Sequence, residues 1–405
     1  MPRRRRRESG FTIVELLIAA TVLMLVTGAF LEFIGPALGT FQAQPEVADV
    51  QQRLRVSSDV LAKDLMMAGA GMYTGTSSGS LHNYFAPVVP YRVGDRSNDA
   101  RAGVFFRPDA ISVIYVPPTP AQATIRPLDN GQKLARNASE LLVTSEPNCP
   151  PDRSSARCGF TENMRVLLFT PGGAFDVVTI SGVQDAALRL QYAGDLSVEY
   201  PTGSPIAEVA THTYYLKSEP ASSTFQLMHY DGHLTDLPVV DNVVALLFEY
   251  WGTAAPPMLL PNKPLTDTVG PWTTYGPRPP AIGQAAPPAT AWPDGENCVF
   301  GIVGGLHVPR LPSLGADSSQ VQLSTGMLTD GPWCPDALAD EPYDADLLRV
   351  RRIRVRLRVQ VASAALRGPA GALFMRGGTS TSAERYIPDQ EIRFDITPRN
   401  MNAAR

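Results

Sequence analysis

The chain has 405 residues, a net charge of −4 and 44% hydrophobic residues. That is long enough for one large domain or a domain with a big insertion, and too weakly charged to demand a polyanionic partner. Its apolar share is ordinary for a globular protein, and four cysteines are too few for a fold built mainly on disulfides. In chain order, five arginines (Arg3 to Arg7) precede Glu8-Ser9-Gly10, and from Phe11 to Ile34 nearly every residue is apolar. Such a run can cross a bilayer as a helix, and the arginines before it hold the start in the cytoplasm and send the rest outward. Glu15 interrupts the run, where a charge costs about 2.5–3.5 kcal/mol at the bilayer centre. No small-x-small cleavage site follows the apolar core, unlike an ordinary secretory signal.

The stretch Gly10-Phe11-Thr12-Ile13-Val14-Glu15-Leu16-Leu17 resembles the type IV prepilin signature. The resemblance implies a substrate of prepilin peptidase, cut between Gly10 and Phe11. The basic leader is lost, Phe11 is N-methylated, and the helix is kept as filament core. It also implies that Glu15 pairs with the terminal amine of a neighbouring subunit during assembly, which offsets its desolvation. The implied partners are major and minor pilins, met through this helix, and the inner-membrane assembly platform. The implied location is the bacterial inner membrane, with the remainder in the periplasm, and then a filament at the cell surface. An uncleaved signal anchor with an incidental Glu is the plain alternative.

Beyond Pro36 and Gly39, which are candidate kink points, Val47, Val50, Leu54, Leu61, Leu65 and Ala68 recur at helical spacing. Arg53, Arg55, Asp59, Lys63 and Asp64 fall largely between them, and Gly69-Ala70-Gly71 supplies a stop. A long pilin-like helix whose outer half packs on a sheet fits this pattern. An anchor, a linker and a separate amphipathic helix also fit it. Short β-branched and aromatic runs follow: Val104–Phe106, Ile111–Val116, Leu141–Ser145, Val166–Thr170, Val177–Ser181, Leu188–Tyr192, Thr213–Lys217, Gln226–Tyr230 and Val243–Trp251. Gly, Pro and Asn divide them, as in antiparallel sheet. Tyr230-Asp231-Gly232-His233 reads as a type I′ hairpin turn. Across such a turn the four-residue spacing of His229 and His233 carries no metal signal, so no metal or cofactor is expected.

The segment Thr253–Trp292 is crowded with proline and glycine and reads as a surface excursion. The cysteines read as two disulfides in an oxidising exterior. Of three formal pairings, Cys149 with Cys158 and Cys298 with Cys334 are the local ones; a zinc site is the rival, without Cys-x-x-Cys or a nearby His. Further on, from Ile353 to Val359 aliphatics strictly alternate with Arg354, Arg356 and Arg358, Arg352 precedes the run, and Leu348 and Val350 upstream have the opposite parity. That places guanidinium groups on one strand face, with a bulge expected at Arg351-Arg352. The basic stripe is a candidate polyanion contact; solvation, or pairing with Asp344, Asp346 or a neighbouring subunit, is the bland reading and the favoured one. Ile387 to Asn400 reads as a last strand and a polar end.

Val56 to Gly69, Val240 to Trp251, the arginine strand and Pro398-Arg399-Asn400 together resemble the PilW-like and GspJ-like minor pilins. The fold class expected is α+β and pilin-like: a long N-terminal helix, membrane half plus amphipathic half, packed on an antiparallel β-sheet head with extra strands and loops. The expected segments are a leader (1–10), a filament-core helix (11–35), its amphipathic continuation (36–71), a β-rich head (72–251), a Pro/Gly-rich insertion (252–340) and C-terminal strands (341–405). The function expected is that of a minor pilin or pseudopilin in tip assembly of a type IV pilus or a type II secretion pseudopilus. The alternative is an adhesive or DNA-binding tip subunit. No nucleophile elbow, phosphate loop or His-Glu-x-x-His helix argues for an enzyme.

Overall fold

The computed structural model describes residues 12–73, 79–90, 106–126, 133–144, 159–170, 174–184, 187–218, 224–253, 300–303, 306–309, 320–329, 333–334, 343–363, 366–367 and 387–402. The chain forms two compact units, residues 1–53 with 359–390, and residues 54–358 with 391–405. One α-helix, α1 (Ile13–Met67), runs unbroken through Pro36 and Pro45. It thus lacks the linker that the Pro-Ala-Leu-Gly stretch left open.

In the first unit the helix carries an Asp49–Arg53 ion pair at 2.6 Å, one helical turn apart. The Ala362 amide donates to Glu46 Oε2 at 3.2 Å. Arg367 folds its guanidinium back on the carbonyls of Val361 and Ala362 at 2.9 and 3.1 Å.

In the second unit α1 buries Leu54, Ser57, Leu61, Asp64, Leu65 and Ala68. Leu54, Ser57, Leu61, Asp64 and Ala68 alternate steps of three and four, which keeps one stripe facing the sheet. Asp64 is therefore a correction to the sequence reading: it belongs to the buried stripe, not to the polar face with exposed Asp59 and Lys63. The helix stops as expected. Gly69 takes φ +78°, a left-handed cap that glycine adopts without strain. Its amide donates to Ile114 O at 3.0 Å, and the Val116 amide donates to Ala70 O at 2.7 Å, sewing the helix end to a strand.

That strand lies in an eight-stranded sheet. The order is β1 (Val88–Val89), β2 (Ala110–Tyr115), β9 (Ala210–Ser218), β10 (Phe225–Tyr230), β11 (Asp236–Thr253), β17 (Val350–Val359) and β18 (Gln390–Ile396), with β14 (Gln320–Leu323) also on β11. The α+β class with a long N-terminal helix is thus the observed one, and the β1–β2, β2–β9, β9–β10, β10–β11 and β11–β14 pairings are antiparallel. Of the run Val104–Phe106 only Phe106 is described, and it lies outside any strand. Within β11, Phe225 pairs with Val243 but Leu227 with Val240, so β11 carries an extra residue. Asn242 absorbs it at φ +55°, which lets Val240 and Val243 both turn inward despite their odd spacing.

The β10–β11 connection is not a type I′ turn. It spans five residues, only Gly232 has positive φ, at +81°, and a type I′ turn needs two such residues. Asp231 organises the loop instead, its carboxylate accepting from the amides of His233 (2.8 Å) and Thr235 (3.0 Å).

Between β2 and β9 the chain builds a second sheet that the run-by-run reading did not reveal. Its order is β3 (Gln122–Thr124), β8 (Pro205–Glu208), β5 (Arg165–Phe169), β6 (Phe175–Gln184), β7 (Arg189–Tyr192) and β4 (Glu140–Leu142). The two ends meet: Ile125 bridges Val143, flanked by Arg126 N to Leu142 O and Thr144 N to Thr124 O, each 2.9 Å. The sheet therefore closes into a six-stranded barrel without a free edge. Its interior is apolar, with Ile125, Val143, Leu168, Ile180, Leu190 and Ile206 among the buried residues. Among the described residues two short pairings remain: β12 (Phe300–Val303) with β13 (Leu306–Pro309), and β15 (Trp333–Cys334) with β16 (Tyr343–Asp344).

Asp176 of the barrel gathers the Ser197 amide, the Ser197 hydroxyl and the Tyr200 hydroxyl at 2.9, 2.9 and 2.8 Å. Burial, then the Asp176 charge, pushes the Tyr200 phenol well above its usual value. A group whose pKa is raised on folding contributes stability below its unfolded pKa and loses it as pH rises through the folded one. Absorbance titration of the full chain in detergent should accordingly leave Tyr200 protonated above the ordinary phenol pKa of about 10. Its ionisation should arrive together with unfolding, and Tyr200→Phe should remove that component.

Candidate functional site

The first helical turn closes on itself. The Thr12 amide and hydroxyl donate to Glu15 Oε2 at 2.9 and 2.8 Å, and the Glu15 amide donates to Thr12 Oγ1 at 3.3 Å. This is a reciprocal capping box, with Thr12 as N-cap and the carboxylate three residues on. Gly10 and Phe11, the expected processing pair, lie outside the described residues.

Ile13–Glu32 is one helical stretch long and apolar enough to cross a membrane, with mean hydropathy 2.3 and none of it buried. Its two threonines turn inward on the helix, Thr21 and Thr27 donating to the carbonyls of Leu17 and Leu23 at 2.7 Å each. No hydroxyl of that face is then left to demand water. Exposed Leu16, Leu17, Leu23 and Leu25 form an apolar surface whose cover must come from lipid or from other helices, at roughly 25 cal/mol per Å² removed from water.

A second constellation lies where α1 meets the large sheet. On β9 and β10, His212, Tyr214 and His229 share one face with Tyr115 of β2, because Tyr214 pairs with His229 and His212 with Val113. Asp64 reaches down to them. Tyr214 donates to Asp64 Oδ2, Tyr115 donates to Oδ1 at 3.4 Å, and His212 Nδ1 lies 3.7 Å from Oδ2. Tyr115 Oη also meets His212 Nε2 at 3.1 Å, while His212 Nδ1 meets His229 Nε2 at 2.6 Å. The rings are stacked, His212 on His229 at 4.9 Å and Tyr214 on His229 at 5.0 Å. Burial lowers the His212 pKa more than the Asp64 carboxylate raises it. Burial, then Asp64, pushes the Tyr115 phenol up to about 12.

His212 also lines a cavity of about 360 Å³ with Arg165, Glu208, Thr211 and Asp231. Arg165 spans from the barrel to Thr211 Oγ1 and the Asp231 carbonyl. Sequence spacing offered His229 with His233; the fold instead brings His229 to His212 and Asp64. Only strand register could have shown that.

The arginine stripe of β17 is matched by acids from both flanking strands. Arg354 forks onto Asp395 at 2.7 and 3.1 Å, and Arg352 lies 3.6 Å from the same carboxylate. Arg356 stands 3.6 Å from both Glu249 and Glu391. The Arg352 and Arg354 guanidinium groups sit 4.5 and 5.2 Å from the centre of the Trp251 ring, within cation–π reach. Arg358 is buried. The hydrogen bond from Arg354 holds Asp395 below the usual carboxylate range. The partners differ from those expected: Asp346 pairs with Arg349 at 2.7 Å, and Asp344 caps the 3-10 helix Ala345–Arg349. Leu348 lies in that helix, so its parity reports no strand. Cys334 is buried and disulfide-bonded. Cys149, Cys158 and Cys298 lie outside the described residues, as does the proline-rich stretch 254–299.

Fold and N-terminus together define an α+β protein whose β-rich part follows one membrane-length helix with a carboxylate in its first turn. Residues 5–31 match the model for the prokaryotic N-terminal methylation motif. That motif indicates a prepilin-peptidase substrate of the type IV pilin and pseudopilin class. No curated protein and no solved structure matches the chain.

Proposed function

We propose that the chain is a minor pilin or pseudopilin, a structural subunit that helps initiate or tip a type IV pilus or a secretion pseudopilus. The carrying observation is the apolar span Ile13–Glu32, none of it buried, beneath a methylation motif. In this reading prepilin peptidase cuts between Gly10 and Phe11, Phe11 is methylated, and the helix waits in the inner membrane. Extraction into a filament exchanges lipid for other helices along the same apolar surface.

Glu15 has a part in both states. In the single chain it closes the capping box, worth about 1 kcal/mol, which suffices near a membrane boundary. Packed among helices, a carboxylate costs several kcal/mol unless a cation meets it, and the neighbouring subunit's Phe11 amine is the cation at hand. Tip placement is part of the proposal: the inserted barrel adds bulk that a stacked subunit would have to accommodate.

The test is the N-terminus of the native protein. Intact-mass analysis should find methylated Phe11 as the first residue. Gly10→Leu should retain Arg3 to Arg7 and lose nearly all incorporation into filaments. A native chain that still begins at Met1, or normal processing of Gly10→Leu, overturns the reading.

A further inference from the structure

We infer that Asp64 Oδ2, His212 Nδ1 and His229 Nε2 form a binding site for one divalent transition-metal ion, Zn²⁺ by chemistry, which clips α1 to the large sheet. Three observations carry it. First, the three donor atoms come from three elements and lie within 4.8 Å of one another. A set of two imidazoles and one carboxylate is a zinc-type set with a fourth position left for water.

Second, the groups that would orient these ligands are in place. His212 is oriented through its other nitrogen, Nε2, 3.1 Å from Tyr115 Oη, so Nε2–H can donate there and leave the Nδ1 lone pair for the metal. Tyr115 and Tyr214 donate to the two Asp64 oxygens, which keeps the carboxylate an acceptor and fixes its plane. Such outer partners set ligand direction and tautomer. Ring stacking of Tyr115 on His212 at 5.6 Å and of Tyr214 on His229 at 5.0 Å holds both imidazoles upright.

Third, two imidazole nitrogens face each other at 2.6 Å, an arrangement that requires a proton or a cation between their lone pairs. Tetrahedral ligands at about 2.0–2.1 Å from zinc stand roughly 3.3 Å apart. The His212–Asp64 distance of 3.7 Å is already close to that, and the two histidines need open by less than an ångström through ring rotation. Of the described residues, His82 and His233 are not in the cluster.

The experiment titrates Co²⁺ into the chelator-treated full chain in detergent and follows the visible d–d absorption of four-coordinate cobalt. The expected result is a band that saturates at one equivalent and is displaced by Zn²⁺. His229→Leu should weaken binding roughly 100-fold or more, since loss of an outer partner alone costs 10–100-fold; His233→Leu should leave it unchanged. Should His229→Leu fail to fold, X-ray absorption on the zinc-loaded parent decides, with two imidazole nitrogens among the nearest atoms expected. No band, a band unaltered by His229→Leu, one abolished by His233→Leu, or a zinc shell without imidazole overturns the site. Processing at Gly10 is untouched by any of these outcomes.

Discussion

Asp64→Ala should destabilise the full chain by about 3 kcal/mol, read as a lowered denaturant midpoint in detergent with chelator present. Hydrogen bonds to an ionised group contribute about 1.5–3 kcal/mol each, and a buried donor stripped of its acceptor costs about 1–3 kcal/mol. Asp64 receives two phenol hydroxyls, Tyr214 on Oδ2 and Tyr115 on Oδ1. The losses are unequal: Tyr115 keeps His212 Nε2 as a partner at 3.1 Å, whereas the Tyr214 hydroxyl, on a side chain with no exposed surface, loses its acceptor. Tyr214→Phe alone should therefore cost less than Asp64→Ala. In the double variant the orphaned hydroxyl is gone, so the two effects should fall short of additive by about 1 kcal/mol or more. Additivity within about 0.5 kcal/mol would show that Asp64 and Tyr214 are not coupled. Chelator removes any metal contribution, so the result bears on the hydrogen bonds alone.

The same residue shows where sequence reading stops. The stripe Val50, Leu54, Leu61, Leu65 and Ala68 was legible because helical periodicity is local, and Gly69 because a left-handed cap favours glycine. Asp64 was not. A carboxylate between apolar residues looks solvated until a tyrosine 150 residues on in sequence is placed over it. His212 and His229 were hidden for the same reason: their nearness depends on β9–β10 register, whereas in the nearer pair in sequence His229 lies on β10 and His233 in the loop that follows it.

The barrel was only half legible. Several of its strands announce themselves by β-branched runs, but its closure depends on the Ile125–Val143 bridge, and β3 and β8 are too short to declare a period. In β17 the alternation of aliphatic and arginine residues was readable, while the acids that meet the arginines sit on β11 and β18, far away in sequence. The N-terminal motif was legible because its residues, Gly10 to Leu17, are contiguous, whereas the Thr12–Glu15 capping box was not read from them.

Gly252→Ala should cost about 3 kcal/mol and Gly252→Val should leave little folded protein, since overpacking a filled interior costs about 1–3 kcal/mol and sometimes more. A Cβ on Gly252 would stand 2.1 Å from the Arg349 carbonyl oxygen and 2.8 Å from its carbon, with Leu323 Cδ1 at 3.1 Å. The first two are backbone atoms and cannot rotate aside. Nor can Arg349 retreat easily: its guanidinium donates to the Thr253 carbonyl at 3.0 and 2.8 Å and to Asp346 at 2.7 Å. Pushing β11 away from the 3-10 helix would break those bonds and strand a buried charge. Gly28→Ala is the matched control, because nothing lies within 4 Å of a Cβ there. In a helix interior alanine is favoured over glycine by about 0.8–1.0 kcal/mol, so that variant should be neutral or slightly more stable. If denaturant midpoints place Gly252→Ala beside Gly28→Ala, the close approach of β11 to Arg349 is not what excludes a side chain there.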